Sequence, residues 1–205
     1  TQSRSSAASD VYKRQLLRTT TVPMKSPCEE LIDMLGQPYD AGKVARLLGP
    51  LGVKRMPRPS SHFDDDIIWS AKSSLRIDVY RPRALSRRTG RDWEDGDVWL
   101  IGSVHFLAPG ADSRIRAVFA GSLPSGLSMR SAPEALVAVF GPPQMDDGIE
   151  RPGHGGRLLA WRKPQVNIVA EYEDAGEAGS ITSFVVCLIG CIGAWHHDDP
   201  EVFAP

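Results

Sequence analysis

The sequence predicts an α+β protein: an antiparallel sheet with short helices on one face, built as two related helix–strand–strand halves. Three observations carry this. Helix punctuation opens each half, with two short helices over residues 26–50 and one over 131–142, each ending on glycine. After these helices the apolar residues change from helical spacing to alternation. The strands then follow one another without a helix between each pair, which argues against a doubly wound parallel sheet.

The first helix begins at Ser26 as N-cap, with Pro27 at the first helical position and Glu29 closing a capping box. It buries Leu31, Ile32, Met34 and Leu35 and stops at Gly36. Asp40 can cap a second helix carrying Val44, Ala45, Leu47 and Leu48, which Gly49-Pro50 ends. Strands follow at Ile67–Trp69 and at Leu75, Ile77 and Val79, which alternate with Arg76, Asp78 and Tyr80. A charged insert, Arg81 to Asp97, is expected to be a long solvated loop. Val98–Phe106 and Ile115–Phe119 read as further strands. In the second half Ser131 and Glu134 form a capping box, Pro133 opens a helix with Leu136, Val139 and Phe140 on one face, and Gly141-Pro142 stops it. Strands close the domain at Leu158–Trp161, Val166–Tyr172 and Ile181–Leu188. At an offset of 92, Gly49, Pro50, His62, Trp69 and Tyr80 fall on Gly141, Pro142, His154, Trp161 and Tyr172, which suggests a duplication. The apolar parity of Leu75, Ile77 and Val79 does not match that of Val166, Ile168 and Ala170 at this offset.

Residues 5–15 read as the in-frame translation of a transposase sequencing adapter, so residues 1–15 are set apart from the fold, and 16–23 are expected to be upstream sequence. The native start is then expected at Met24. The single domain is expected to span residues 24–188, with halves 24–120 and 121–188 and a C-terminal tail at 189–205. The full chain of 205 residues carries 24 basic and 25 acidic side chains. Without Arg4, Lys13, Arg14, Arg18 and Asp10 the balance is 20 to 24, mildly acidic. A strong basic excess, the usual footprint of a nucleic-acid binder, is missing. The longest apolar run, Phe184–Ile189, is far short of the roughly 20 residues that span a bilayer. Cys28, Cys187 and Cys191 are odd in number and no export signal follows Met24, so a cytoplasmic location is expected.

Catalytic motifs are sparse. Gly153-His-Gly-Gly156 lies before a strand, which suits a hairpin loop better than a phosphate cradle. His196, His197, Asp198 and Asp199 are good metal-ligand types near Cys187 and Cys191, but adjacent ligands rarely converge on one ion. His62, beside Asp64–Asp66, and His154 could act as acid–base groups or simply sit in solvated loops. A small hydrolase or metal-dependent enzyme using His62, His154, His196 or His197 is therefore the alternative reading. No cofactor is called for.

Trp93, set among Asp92, Glu94, Asp95 and Asp97, has the character of an interface anchor within a polar rim. Asp64, Asp65 and Asp66, and Asp146 and Asp147, are further acidic candidates that could steer a basic partner.

The segments Leu35-Gly-Gln-Pro38, Leu47-Leu-Gly-Pro50, Phe119-Ala-Gly-Ser-Leu-Pro-Ser-Gly-Leu127, Gly141-Pro-Pro143 and Tyr172-Glu-Asp-Ala-Gly176, with the helix between Ser131 and Phe140, carry a resemblance. Together they resemble bacterial immunity proteins of polymorphic and type VI-delivered toxins. Similar helix–Gly-Pro–strand–strand units occur in β-lactamase-inhibitor-like and outer-membrane-assembly lipoprotein folds. The resemblance implies a cytoplasmic, non-enzymatic protein that binds one cognate toxin and blocks it by occlusion. It implies no catalytic residues.

Overall fold

The computed structural model describes residues 25–39, 41–49, 53, 56–58, 63–151, 154–173 and 180–191. The readings made for residues 1–23, Asp40, His62, His196 and His197 lie outside these. The order is α1 (Pro27–Asp33), α2 (Ala41–Leu48), β1 (Asp65–Ser70), β2 (Leu75–Tyr80), α3 (Pro82–Thr89), β3 (Leu100–Leu107), α4 (Pro133–Phe140), β4 (Met145–Arg151), β5 (His154–Arg162), β6 (Val166–Glu173) and β7 (Ile181–Leu188). The seven strands form one antiparallel sheet in the order β1-β2-β3-β7-β6-β5-β4. Each half contributes a meander, and the two meanders join through their last strands, β3 and β7. None of the described helices is long and apolar enough to cross a membrane.

Local sequence sets the helices. Ser26 Oγ accepts from Glu29 N while the Glu29 carboxylate accepts from Ser26 N at 2.8 Å, the reciprocal box expected at α1. The second expected box does not form. Ala132 is the N-cap of α4, and Ser131 Oγ instead accepts from Ser128 N in the preceding turn. The Arg81–Asp97 insert is not wholly loop, because Pro82 starts α3, Gly90 ends it in the left-handed conformation, and Ala84 and Leu85 are buried. Five charged residues around two apolar ones concealed it.

The main core lies on one sheet face, where Ile77, Val79, Ile101, Val104, Phe106, Leu159, Trp161, Ile168, Ala170 and Phe184 meet Leu31 of α1 and Leu136 of α4. Ile115–Phe119 is not a strand. β3 already has β2 and β7 on its two sides, so no edge is open to it. The segment lies over the core, with Phe119 N donating to Leu107 O, Ala117 O accepting from Ser74 Oγ, and the Phe119 ring 4.8 Å from that of Phe106. A smaller cluster on the opposite face gathers Tyr80, Leu100, Leu158, Val185, Cys187 and Cys191 with Ala84 and Leu85 of α3.

Two of the offset-92 identities, Trp69 with Trp161 and Tyr80 with Tyr172, do not mark equivalent sites. Trp161 and Tyr172 belong to the main core, while Tyr80 joins the smaller cluster and Trp69 lies under the Arg76 and Arg114 guanidinium groups. The parity is restored one residue further on. Ile68 and Trp161, Leu75 and Ile168, Ile77 and Ala170, and Val79 and Tyr172, each pair 93 apart, all face the main core.

Candidate functional site

The start of β1 and the outer side of α3 form a charged groove of about 450 Å³, lined by Phe63, Asp64, Asp65, Ala84, Arg87 and Arg88. Pro82 and the buried Ala84 and Leu85 fix α3 on the sheet, which turns Arg87 and Arg88 toward the β1 end. Arg87 bonds Asp64 at 2.6 Å, and Arg88 lies 3.7 Å from Asp65. Arg81 N donates to Asp64 O. Asp66 turns back on the chain, accepting from Ile67 N at 2.8 Å and Arg58 N at 3.0 Å. Beside these groups Phe63 is 73% exposed. Sequence reasoning passed over Phe63, whose only signal was an aromatic immediately before an acidic run.

Trp93 is placed differently from an exposed anchor. Its indole N–H donates to Thr89 Oγ1 at 3.1 Å, its backbone N–H to Ser86 Oγ, and the ring packs on Gly36. A β-carbon at Gly36 would sit 2.6 Å from Trp93 Cη2, and Gly36 has φ +76°, so only glycine suits that turn. The half-buried indole thus ties the end of α3 to the turn after α1. Asp92, Glu94, Asp95 and Asp97 are exposed, with Asp97 bonded to Arg81.

The two acidic groups on the strands are not brought together. Asp64–Asp66 lie at β1 and Asp146 and Asp147 on β4, the opposite edges of the sheet. Six strand spacings of about 4.8 Å put them roughly 29 Å apart. Asp146 takes two bonds of 2.8 Å from Arg157, which lower its carboxyl pKa.

A buried cluster that sequence reasoning did not single out occupies the second sheet face. Arg76 donates to Asp78 at 2.6 and 2.9 Å, Ser103 Oγ donates to Asp78 at 2.9 Å, and His105 Nε2 lies 2.9 Å from Ser103 Oγ and 3.1 Å from Asp78 Oδ2. Its sequence signal is polar residues two apart in apolar strands: Arg76 and Asp78, Ser103 and His105. Burial opposes the Asp78 charge, but His105 and Arg76 outweigh it and hold the carboxyl well below its ordinary range. Ser103 has one proton. Giving it to Asp78 leaves the hydroxyl to accept from Nε2–H of His105. This polarity is opposite to that of a serine nucleophile, whose proton must face an unprotonated histidine nitrogen. The arrangement suits a structural cross-link of β2 and β3.

His154 belongs to β5. Among the described residues no group of three His, Cys, Asp or Glu could hold a metal ion. Cys28, Cys187 and Cys191 are free and buried, and burial raises all three thiols, Cys191 to about 12. No family model, curated protein or solved structure matches the chain.

Proposed function

We propose that the chain is a non-enzymatic cytoplasmic protein that binds a cognate bacterial toxin and neutralises it by occlusion, with the Phe63 groove as the contact surface. The observation that supports this is the Phe63 ring, 73% exposed beside the Asp64–Arg87 and Asp65–Arg88 pairs. A large aromatic ringed by charged groups is the composition of an interface hot spot with a polar rim. The resemblance in turn and cap residues points to the same class. Arg87 and Arg88 offset Asp64 and Asp65, so the groove offers shape and apolar area more than net charge. Long-range steering of a basic partner falls to Asp92, Glu94 and Asp95. The test is co-expression of the chain with the product of the adjacent open reading frame, scored by pull-down and by rescue of growth. Complex formation with rescue supports the reading, and a neighbour that is neither bound nor toxic counts against it.

A further inference from the structure

Among the described residues the dipeptide Asp-Gly occurs at Asp95-Gly96 and at Asp147-Gly148, and the fold holds the two differently. Asp95 and Gly96 lie in the segment between α3 and β3, which is tied at both ends. On one side the Trp93 indole donates to Thr89 Oγ1 and packs on Gly36, and on the other Asp97 is bonded to Arg81. Between these ties Glu94, Asp95 and Gly96 are exposed. Among the described residues neither the Asp95 carboxylate nor the Gly96 N–H has a hydrogen-bond partner, and a β-carbon at Gly96 would meet only a Val98 methyl, at 3.9 Å. Asp147 and Gly148 instead stand in β4, in register with Leu158 and Arg157 of β5.

An aspartyl–glycyl link can rearrange without an enzyme. The glycine N attacks the aspartyl side-chain carbon Cγ, the new C–N bond closes a five-membered imide, and the carboxyl hydroxyl leaves with the amide proton as water. Water then opens the ring at the backbone carbonyl. The chain now runs through the side chain as isoaspartate, with the carboxylate on Cα, and no oxidant or other co-reactant is consumed. Ring closure needs a backbone free to turn the glycine N over Cγ, which glycine permits best because it has no β-carbon. At Asp95 no hydrogen bond opposes this turn. At Asp147 the same rotation would break the pairing with β5. We propose that Asp95 isomerises to isoaspartate in the folded protein while Asp147 is protected. The product keeps the charge of the segment but lengthens its main chain by one carbon between Trp93 and Leu100. The change needs no partner, so it stands apart from the toxin-neutralising function.

The test incubates the full chain at neutral pH, both folded and in urea, and then digests it with trypsin, which puts the two sites in separate peptides, 92–114 and 131–157. Isoaspartate in each peptide is read by enzymatic methylation of its α-carboxylate from a labelled donor. In the folded chain it is expected to build up at least about tenfold faster in peptide 92–114. In urea, where β4 no longer restrains Asp147, the two rates should lie within about threefold of each other. Gly96→Ala should slow the signal in peptide 92–114 about tenfold in either state. As Gly96 is exposed, that variant should keep its Tm. Three results would overturn the proposal. One is the absence of isoaspartate from peptide 92–114 of the folded chain when it has formed in urea. Another is equal build-up in both peptides of the folded chain. The third is a signal that Gly96→Ala leaves intact, which would place it at Asp92, Asp97 or Asp112.

Discussion

Replacing Asp78 by asparagine keeps the size of the side chain and removes its charge, a direct test of the buried link between β2 and β3. The carboxylate accepts three bonds, two from Arg76 and one from Ser103, and His105 Nε2 lies 3.1 Å from it. The Arg76 side chain is 13% exposed and that of His105 only 1%, so water cannot replace what is lost. The new amide would also turn an N–H toward a ring of donors. Breaking one partner of such a buried network costs about 3–5 kcal/mol, or roughly 6–20 °C in Tm for a chain of this size. Urea unfolding at pH 7, with thermal scans alongside, reads the effect. The pH dependence has a definite sign. A carboxyl held below its unfolded value stabilises the fold fully above about pH 4 and progressively less as pH falls toward its folded value. The gap between the two proteins should therefore shrink as pH falls below about 4. Removing the network as a unit, with Arg76→Leu, Asp78→Leu and His105→Leu together, should cost less than the single change. A single substitution costing under about 1 kcal/mol, or a triple variant worse than the single, would refute this reasoning.

Gly102→Ala should destabilise by about 1–3 kcal/mol, because the new β-carbon would fall 2.3 Å from the Tyr80 ring, whereas Gly148→Ala should be close to neutral; chemical denaturation compares them. Trp93→Ala should lower stability by about 2 kcal/mol through lost packing on Gly36, and leave partner affinity within about twofold in a titration. The buried thiols, with Cys191 raised to about 12, should label at neutral pH only as fast as the protein unfolds, measured with an aromatic disulfide reagent across a urea series.

The fold was largely legible because its signals are local. Ser26 and Glu29 announce α1, and alternation in Leu75–Val79 and Val166–Ala170 announces strands with a definite inner face. What escaped depends on neighbours. Helix α3 rests on Pro82, Ala84 and Leu85 finding the sheet, a contact that charge-rich sequence hides. Strand β4, with two aspartates and a glycine, has poor intrinsic preference and exists because β5 offers it an edge. Ile115–Phe119 alternates like a strand but finds both sides of β3 taken. The candidate site was legible in part. Asp64 and Asp65 do line a groove, but their pairing to Arg87 and Arg88 depends on the undetected helix. Trp93 had the composition of an anchor, and only the missing β-carbon of Gly36, far off in sequence, shows why it folds inward.

The most direct test of the proposed function compares the full chain with its Phe63→Ala variant in cells expressing the neighbouring open reading frame, with affinity measured on the purified pair. Phe63 is 73% exposed, so the Tm should stay within about 1 °C. The account predicts rescue by the unaltered chain, and at least a tenfold loss of affinity with loss of rescue for the variant, the size of one hot-spot residue of about 2 kcal/mol. Binding and rescue that Phe63→Ala leaves intact would contradict the groove as the contact surface, and no binding by either protein would contradict the toxin-neutralising function itself.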